Sequence, residues 1–175
     1  MNLAFRASVV VLLLAVSSIV RANDAPQCLS DSVEAHVQQQ ISLYGPLSVN
    51  HEYFGFIYRL GRSLDSAVVR GSRCVAHSCI VDIARAAALI PAHAVILGEW
   101  HTHPRNGDTP LSEEDVLGAY RNRNLGCYVA YYSAPAGAIY SWNPHRGSVA
   151  TAMTSRIHIG DFPVSRAGGR AVALN

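Results

Sequence analysis

Residues 98–115, GEWHTHPRNGDTPLSEED, bring together two histidines, a run of turn-forming residues and a dense acidic cluster. Side chains two positions apart on a strand project from the same face. His101 and His103 are therefore expected side by side, where two imidazoles can chelate one ion. Zinc takes nitrogen and oxygen ligands at about 2.0–2.2 Å, and a catalytic site uses three protein ligands so that a fourth position stays open. Asp115 is the best third ligand, because it shares a face of a helix start with Ser112 and the loop over residues 104–111 can fold that turn back over the histidines. A plainer reading competes for the same residues. Ser-x-x-Asp before an apolar run approximates a capping box, and acids in a first turn suit the helix dipole. Ser112 fits both readings, whereas Asp115 is not expected to serve the cap and the ion at once. Glu99, two before His101, shares its strand face and is a second acid within reach. Trp100, between them, points the other way and is expected in the core. Arg105, Asn106, Gly107 and Asp108 read as a turn at the mouth of the site, and the remaining histidines are scattered.

The elements that must position these residues are legible from periodicity. DSVEAHVQQQISLYG, from Asp31, puts Val33, Val37 and Ile41 on one stripe, with Ser30 as N-cap and Gly45-Pro46 as the stop. EYFGFIYRL (residues 52–60) and SAVVR (66–70), separated by a Gly-Arg-Ser turn, read as a hairpin. IVDIARAAALI (80–90) carries Ile80, Ile83, Ala84 and Ala87 at helical spacing, which predicts a buried helix. AVILGEWH is a continuous apolar run that fits a central strand, and SEEDVLGAYRN a short helix. CYVAYYS and AIYSW alternate as two strands about the turn at residues 134–137. Residues 156–159 add an edge strand before a Gly-rich tail. Interleaved strands and helices define an α/β or α+β domain, with one mixed sheet flanked by helices.

The chain of 175 residues is half apolar, enough for one domain with a sizeable core. Residues 1–22 read as a cleavable secretory signal: Arg6, a fourteen-residue apolar run over 7–20, and a small-residue site at Val20-Arg21-Ala22. That run is shorter than the roughly 20 residues that span hydrocarbon, so no permanent membrane anchor is expected. The mature domain is then residues 23–175, in the periplasm or secreted. Export removes Arg6 and Arg21, two of fourteen cations, and none of the twelve acids. A balanced chain of this kind offers no electrostatic footprint for nucleic acid. Every cation is arginine. Four cysteines behind a signal suggest two disulfides. The short CVAHSC loop favours Cys74 with Cys79, leaving Cys28 for Cys127, over a zinc site at Cys74, His77 and Cys79, whose spacing matches no standard finger.

A longer pattern runs through the chain: EYFG at residues 52–55, then HTHP, the seven residues RNGDTPL, and SEED. This Glu-x-x-Gly … His-x-His-Pro … Ser-x-x-Asp arrangement resembles the JAMM (MPN+) metalloprotease family, and GEWHTHP looks most like its prokaryotic JAB branch. The resemblance covers roughly residues 52–132. It implies a JAB/MPN-like fold of cytidine-deaminase-like architecture and one zinc ion held by His101, His103 and Asp115. It also implies Glu52 as the base that holds and deprotonates the attacking water, and Ser112 as a donor to the oxyanion. Nothing local singles out Glu52, whose plainer reading is an edge-strand charge. Many eukaryotic relatives carry an apolar or aromatic residue near the position of Glu99, so this chain departs from them, and Glu99 stands as the rival base.

The implied activity is hydrolysis of a peptide or isopeptide bond, and by family likeness the bond follows the tail of a ubiquitin-like modifier. Such conjugates are cytosolic, which a secretory signal does not fit. A periplasmic peptidase, an exported effector or toxin, or an enzyme processing a partner would each reconcile the two. A non-catalytic MPN-like scaffold is the alternative from another class, and the full ligand set weighs against it. A zinc nucleobase deaminase needs His-x-Glu and Pro-Cys-x-x-Cys, neither of which occurs. A cysteine hydrolase using Cys127 or Cys28 would need a free thiolate that paired cysteines do not supply. Sequence sets neither the substrate nor the oligomeric state.

Overall fold

The computed structural model describes residues 30–75, 79–105, 111–125, 127–152 and 154–163. The signal segment, Cys28, His77, residues 106–108 and the Gly-rich tail lie outside the described residues. The elements run α1 (Asp31–Tyr44), β1 (His51–Leu60), β2 (Ser63–Arg73), α2 (Ile83–Ala88), β3 (Val95–Thr102), α3 (Glu113–Asn122), β4 (Val129–Ser133), β5 (Ala138–Trp142) and β6 (Ile157–Asp161), with 3₁₀ turns at Gly45–Leu47 and Val149–Thr151. Six strands form one mixed sheet in the order β2-β1-β3-β4-β5-β6. Among the described residues only β3 and β4 pair in parallel, and α3 is the crossover between them. This is the mixed α/β domain with a single flanked sheet that the patterning predicts.

Each face of the sheet has its own core. On one, the α1 stripe of Val33, Val37 and Ile41 packs on Ile57, Leu97, Trp100, Val129, Tyr131 and Ile139. Ser30 caps α1 by accepting from the Val33 N–H. On the other face, Ala86 of α2 and Val116 and Ala119 of α3 pack on Phe54, Phe56, Tyr58, Ala130 and Trp142. With both faces covered, β4 is buried along its whole length rather than alternating with exposed positions. The β1–β2 hairpin turns at Gly61-Arg62, where Gly61 takes a φ of +61° that favours glycine.

Residues 80–90 do not form the buried helix expected. The helix is confined to Ile83–Ala88, and its one buried residue is Ala86, whereas Ile80 and Ile83 are 75% and 41% exposed. Ala84 and Ala87 are exposed as well. The cause is local competition. Asp82 caps the helix by accepting from the Arg85 N–H, so nothing before it is helical. Ile80 is instead drawn onto β2, its carbonyl accepting from the Ser72 N–H at 2.8 Å and its N–H donating to Ser72 Oγ at 3.1 Å. The Cys74–Cys79 disulfide fixes that excursion. Cys127 is also disulfide-bonded.

The register of β3 decides which face its side chains use. Against β1, Tyr58 pairs with Ile96 and Ile57 with Gly98, so Leu97 is an extra residue, a β-bulge. Ile96 lies on the α2/α3 face and Leu97 on the α1 face. After the bulge, Trp100 follows Leu97 into the α1 core, and Glu99 and His101 turn to the α2/α3 face. Gly98 is required there, because a Cβ would lie 2.1 Å from the Val129 carbonyl oxygen.

A candidate metal centre

His101 lies near the end of β3 and His103 just beyond it, both almost fully buried. Their rings stack at 4.9 Å between centroids, and each lies 6.1 Å from the Tyr132 ring on β4. Thr102, between them, faces the opposite layer. There its Oγ1 accepts from the Tyr53 N–H at 3.0 Å and bonds Ser48 Oγ. The Arg105 N–H donates to the Ser48 carbonyl at 3.1 Å. The strand end is thus pinned from behind, which leaves both imidazoles directed forward.

Asp115 enters from α3. Its Oδ2 is 3.7 Å from His101 Nε2 and 3.6 Å from His103 Nε2, and the two Nε2 atoms are 2.9 Å apart. The circle through these three atoms has a radius of about 2.0 Å, within the roughly 2.0–2.2 Å of bonds from nitrogen and oxygen to zinc. The group is a buried set of three donors that could hold a metal ion.

Asp115 carries the full capping box. The Ser112 N–H and hydroxyl both donate to Asp115 Oδ2 at 2.8 Å, and the Asp115 N–H donates to Ser112 Oγ at 3.1 Å. The cap fixes the rotamer of the side chain and leaves Oδ2 facing the imidazoles.

The protonation states suit chelation. Burial lowers the His101 imidazole to about 4 against the opposing pull of Asp115, so it is neutral at pH 7. Burial alone would raise the Asp115 carboxyl, but His101, the hydrogen bond and charge of His103, and the Ser112 N–H more than reverse this and hold it well below the usual carboxylate range. For these two groups, a neutral imidazole and a carboxylate are the forms a divalent ion binds.

Glu52 reaches the same face through the register of β1. Phe54 pairs with His101 across β1 and β3, and Glu52 lies two residues earlier on the same side. It lines a cavity of about 230 Å³ together with Phe54, Glu99, His101 and Asp115. Burial raises Glu52 to about 7, with His103 opposing and Asp115 adding to the rise. Glu99 lines the cavity too, so the structure brings both acids named from sequence beside the ligand group. Burial raises Glu99 to about 7 against a hydrogen bond from Tyr128. Asn122 in turn donates to the Tyr128 hydroxyl at 3.3 Å.

Sequence reasoning missed the Ser48–Thr102 brace and the Tyr128–Asn122 support of Glu99. Thr102 gave a usable signal, as the one residue between two imidazoles that must face away from them. Ser48, fifty-four positions distant, gave none. No protein-family model matches the chain, and no curated protein matches it significantly.

Proposed function

We propose that the chain is a zinc-dependent peptidase or isopeptidase that works as the JAMM (JAB-like) family does. The observation that carries this reading is the convergence of His101, His103 and Asp115 at zinc-bonding separations beside the part-buried carboxyl of Glu52. His101, His103 and Asp115 would hold the ion, which would supply Lewis acidity toward a scissile carbonyl and a water of pKa about 7.

The chain's own residues do the rest. Glu52, raised to about 7 by burial, is matched to take a proton from the attacking water near neutral pH and return it to the leaving amine. Its neighbourhood of Phe54 and the β1–β3 ladder holds it on the cavity wall. Ser112 has its hydroxyl on Asp115 Oδ2, so its first task is to hold that ligand oxygen in place. A hydroxyl hydrogen rotates freely, and turning it toward the substrate carbonyl supplies the oxyanion donor the resemblance assigns to it. Glu99, fastened by Tyr128, is the less mobile of the two carboxylates, which favours Glu52 as the base.

Work outside the cytosol suits the Cys74–Cys79 disulfide and the absence of any free cysteine among the described residues. No helix of the described residues is long and apolar enough to cross a membrane. The test is metal analysis of the purified chain, followed by cleavage of generic peptides and a ubiquitin fusion with and without chelator. One zinc per chain, and hydrolysis that chelator abolishes and zinc restores, are expected. A loaded chain that cuts neither substrate would replace the peptidase with a metal-holding binding protein.

A further inference from the structure

The cavity beside the chelating group has features that water activation does not use. Its buried floor is Phe54, Glu99 and His101, its side wall includes Val81 and Gly118, and the exposed Ile83 and Glu114 stand at its rim. At about 230 Å³ it is below the roughly 300–1,000 Å³ of pockets for whole small molecules, a size suited to one long side chain. Four of its lining residues are acids, Glu52, Glu99, Glu114 and Asp115, and none is a cation. Asp115 is committed to the imidazoles, and Glu52 faces them. Glu99 is different: it is 5% exposed, and its hydrogen-bond donors, Tyr128 and Asn122, are both neutral. A buried carboxyl held by neutral donors takes up a proton unless a ligand brings the opposite charge, and a cation arriving in the cavity would find this oxygen pair at its floor.

Gly118 supplies an independent observation. It sits inside α3, one turn after Asp115, where glycine costs a helix roughly 0.5–1 kcal/mol relative to alanine. No backbone requirement explains it, since its φ is not positive and a Cβ there would meet nothing within 4 Å. What a side chain at this position would take up is the open space of the cavity. The helix forgoes stability at a position where a side chain would fill the pocket.

We infer that this cavity is a specificity pocket for a lysine- or arginine-type cationic side chain of the substrate, placed next to the scissile bond, with Glu99 meeting its charge. The apolar stem of such a side chain runs along Phe54, Val81 and Ile83, and its charged head reaches the floor. The inference rests on the peptidase reading and adds the substrate class to it.

The experiment has two arms. In the first, the zinc-loaded chain is given matched peptides carrying lysine, arginine, norleucine, citrulline or glutamate at each position flanking the cleaved bond. At one position kcat/KM should favour lysine or arginine over norleucine or citrulline by at least about tenfold, as for a buried charge pair, and Glu99→Gln should bring that ratio close to one. Gly118→Leu should lower turnover of long cationic side chains far more than of alanine at the same position. In the second arm, n-butylguanidinium and n-butylurea are titrated into the full chain and followed by NMR. The cation should bind, the urea should not, and Glu99→Gln should abolish the difference. A wild-type ratio near one, a preference that survives both substitutions, or equal binding of cation and urea would overturn the assignment. If no peptide is cut, the peptidase reading fails by itself, and the guanidinium titration alone decides whether the pocket takes a cation.

Discussion

Ser112 and Asp115 hold one another through three hydrogen bonds, and the oxygen that closes two of them, Asp115 Oδ2, is the atom that faces both imidazoles. Helix initiation and the placement of this carboxylate oxygen are thus one local event at the start of α3. Substitutions that separate the two functions give the first prediction.

Asp115→Asn keeps an oxygen to accept from the Ser112 N–H but loses the negative charge, so zinc affinity should fall by at least about tenfold while the melting temperature of the metal-free chain changes little. Asp115→Ala removes both, and should also cost about 1 kcal/mol of metal-free stability through the lost cap. Zinc titration paired with thermal melting of the two metal-free variants distinguishes them. Equal melting temperatures would mean the cap contributes nothing.

Glu52→Gln should lower kcat by about 10²–10⁴, the usual worth of a positioned general base, with zinc content unchanged. Glu99→Gln should leave the pH dependence of kcat at saturating substrate in place, because the proton passes through Glu52. Rate profiles of both variants beside the wild type, each with its zinc measured, settle which carboxylate is the base.

The metal-free chain should show a pH signature of its buried acid. Glu52 lies at about 7 in the folded chain and near the ordinary carboxylate value when unfolded. The folded state therefore binds more protons between those limits, and stability falls as pH rises through that window. Glu52→Gln removes this contribution. The variant should gain melting temperature relative to wild type on going from pH 5 to pH 8, and a difference that stays flat over that range would contradict the burial assigned to this side chain. His101, lowered to about 4, acts in the opposite sense: its share is present above its unfolded value and is lost as pH falls toward 4.

Two glycines should respond in opposite directions to alanine. Gly118→Ala should raise stability by roughly 0.5–1 kcal/mol, since the helix gains a better former and the methyl meets open space. Gly98→Ala, pressed against the Val129 carbonyl, should cost about 1–3 kcal/mol or more. Chemical denaturation of the two variants reads both effects.

The Cys74–Cys79 bridge closes a short loop, five positions apart, so the Cys74→Ser, Cys79→Ser double variant should lose about 2 kcal/mol by chain entropy. The loss should be accompanied by faster amide exchange at Ile80 and through α2, because the bridge holds Ile80 against Ser72. Hydrogen exchange with and without the bridge tests this.

Much of the framework was legible because pattern and punctuation agreed. Helix α1 had a three-residue apolar stripe, a serine cap and a Gly-Pro stop. The β1–β2 and β4–β5 hairpins had glycine at their turns, and β3 was an apolar run of strand length. Helix α2 misled because alanine carries little information about burial, so a stripe of Ile80, Ile83, Ala84 and Ala87 looked like an inward face when Asp82 and Ser72 had already divided the segment. In the site, His101, His103 and Asp115 could be read from spacing. That the capped oxygen of Asp115 also faces the imidazoles could not, because it depends on which way Oδ2 points once Ser112 has fixed it. Glu52 had no local mark at all. Its approach follows from the pairing of Phe54 with His101, a relation between strands that the residues near Glu52 do not encode.

The extra residue at Leu97 has a consequence for ancestry and engineering alike. Tyr58 faces Ile96 and Ile57 faces Gly98 with Leu97 looped out between them, so the pairing on either side of it is already in step. A descendant lacking Leu97 would close that loop into an unbroken ladder, keep both imidazoles on the pocket side and the indole of Trp100 beneath α1, and forfeit the leucine's own packing in the α1 core. A residue gained or lost beyond Gly98 is a different matter, since with no second bulge to absorb it every later side chain would change layers.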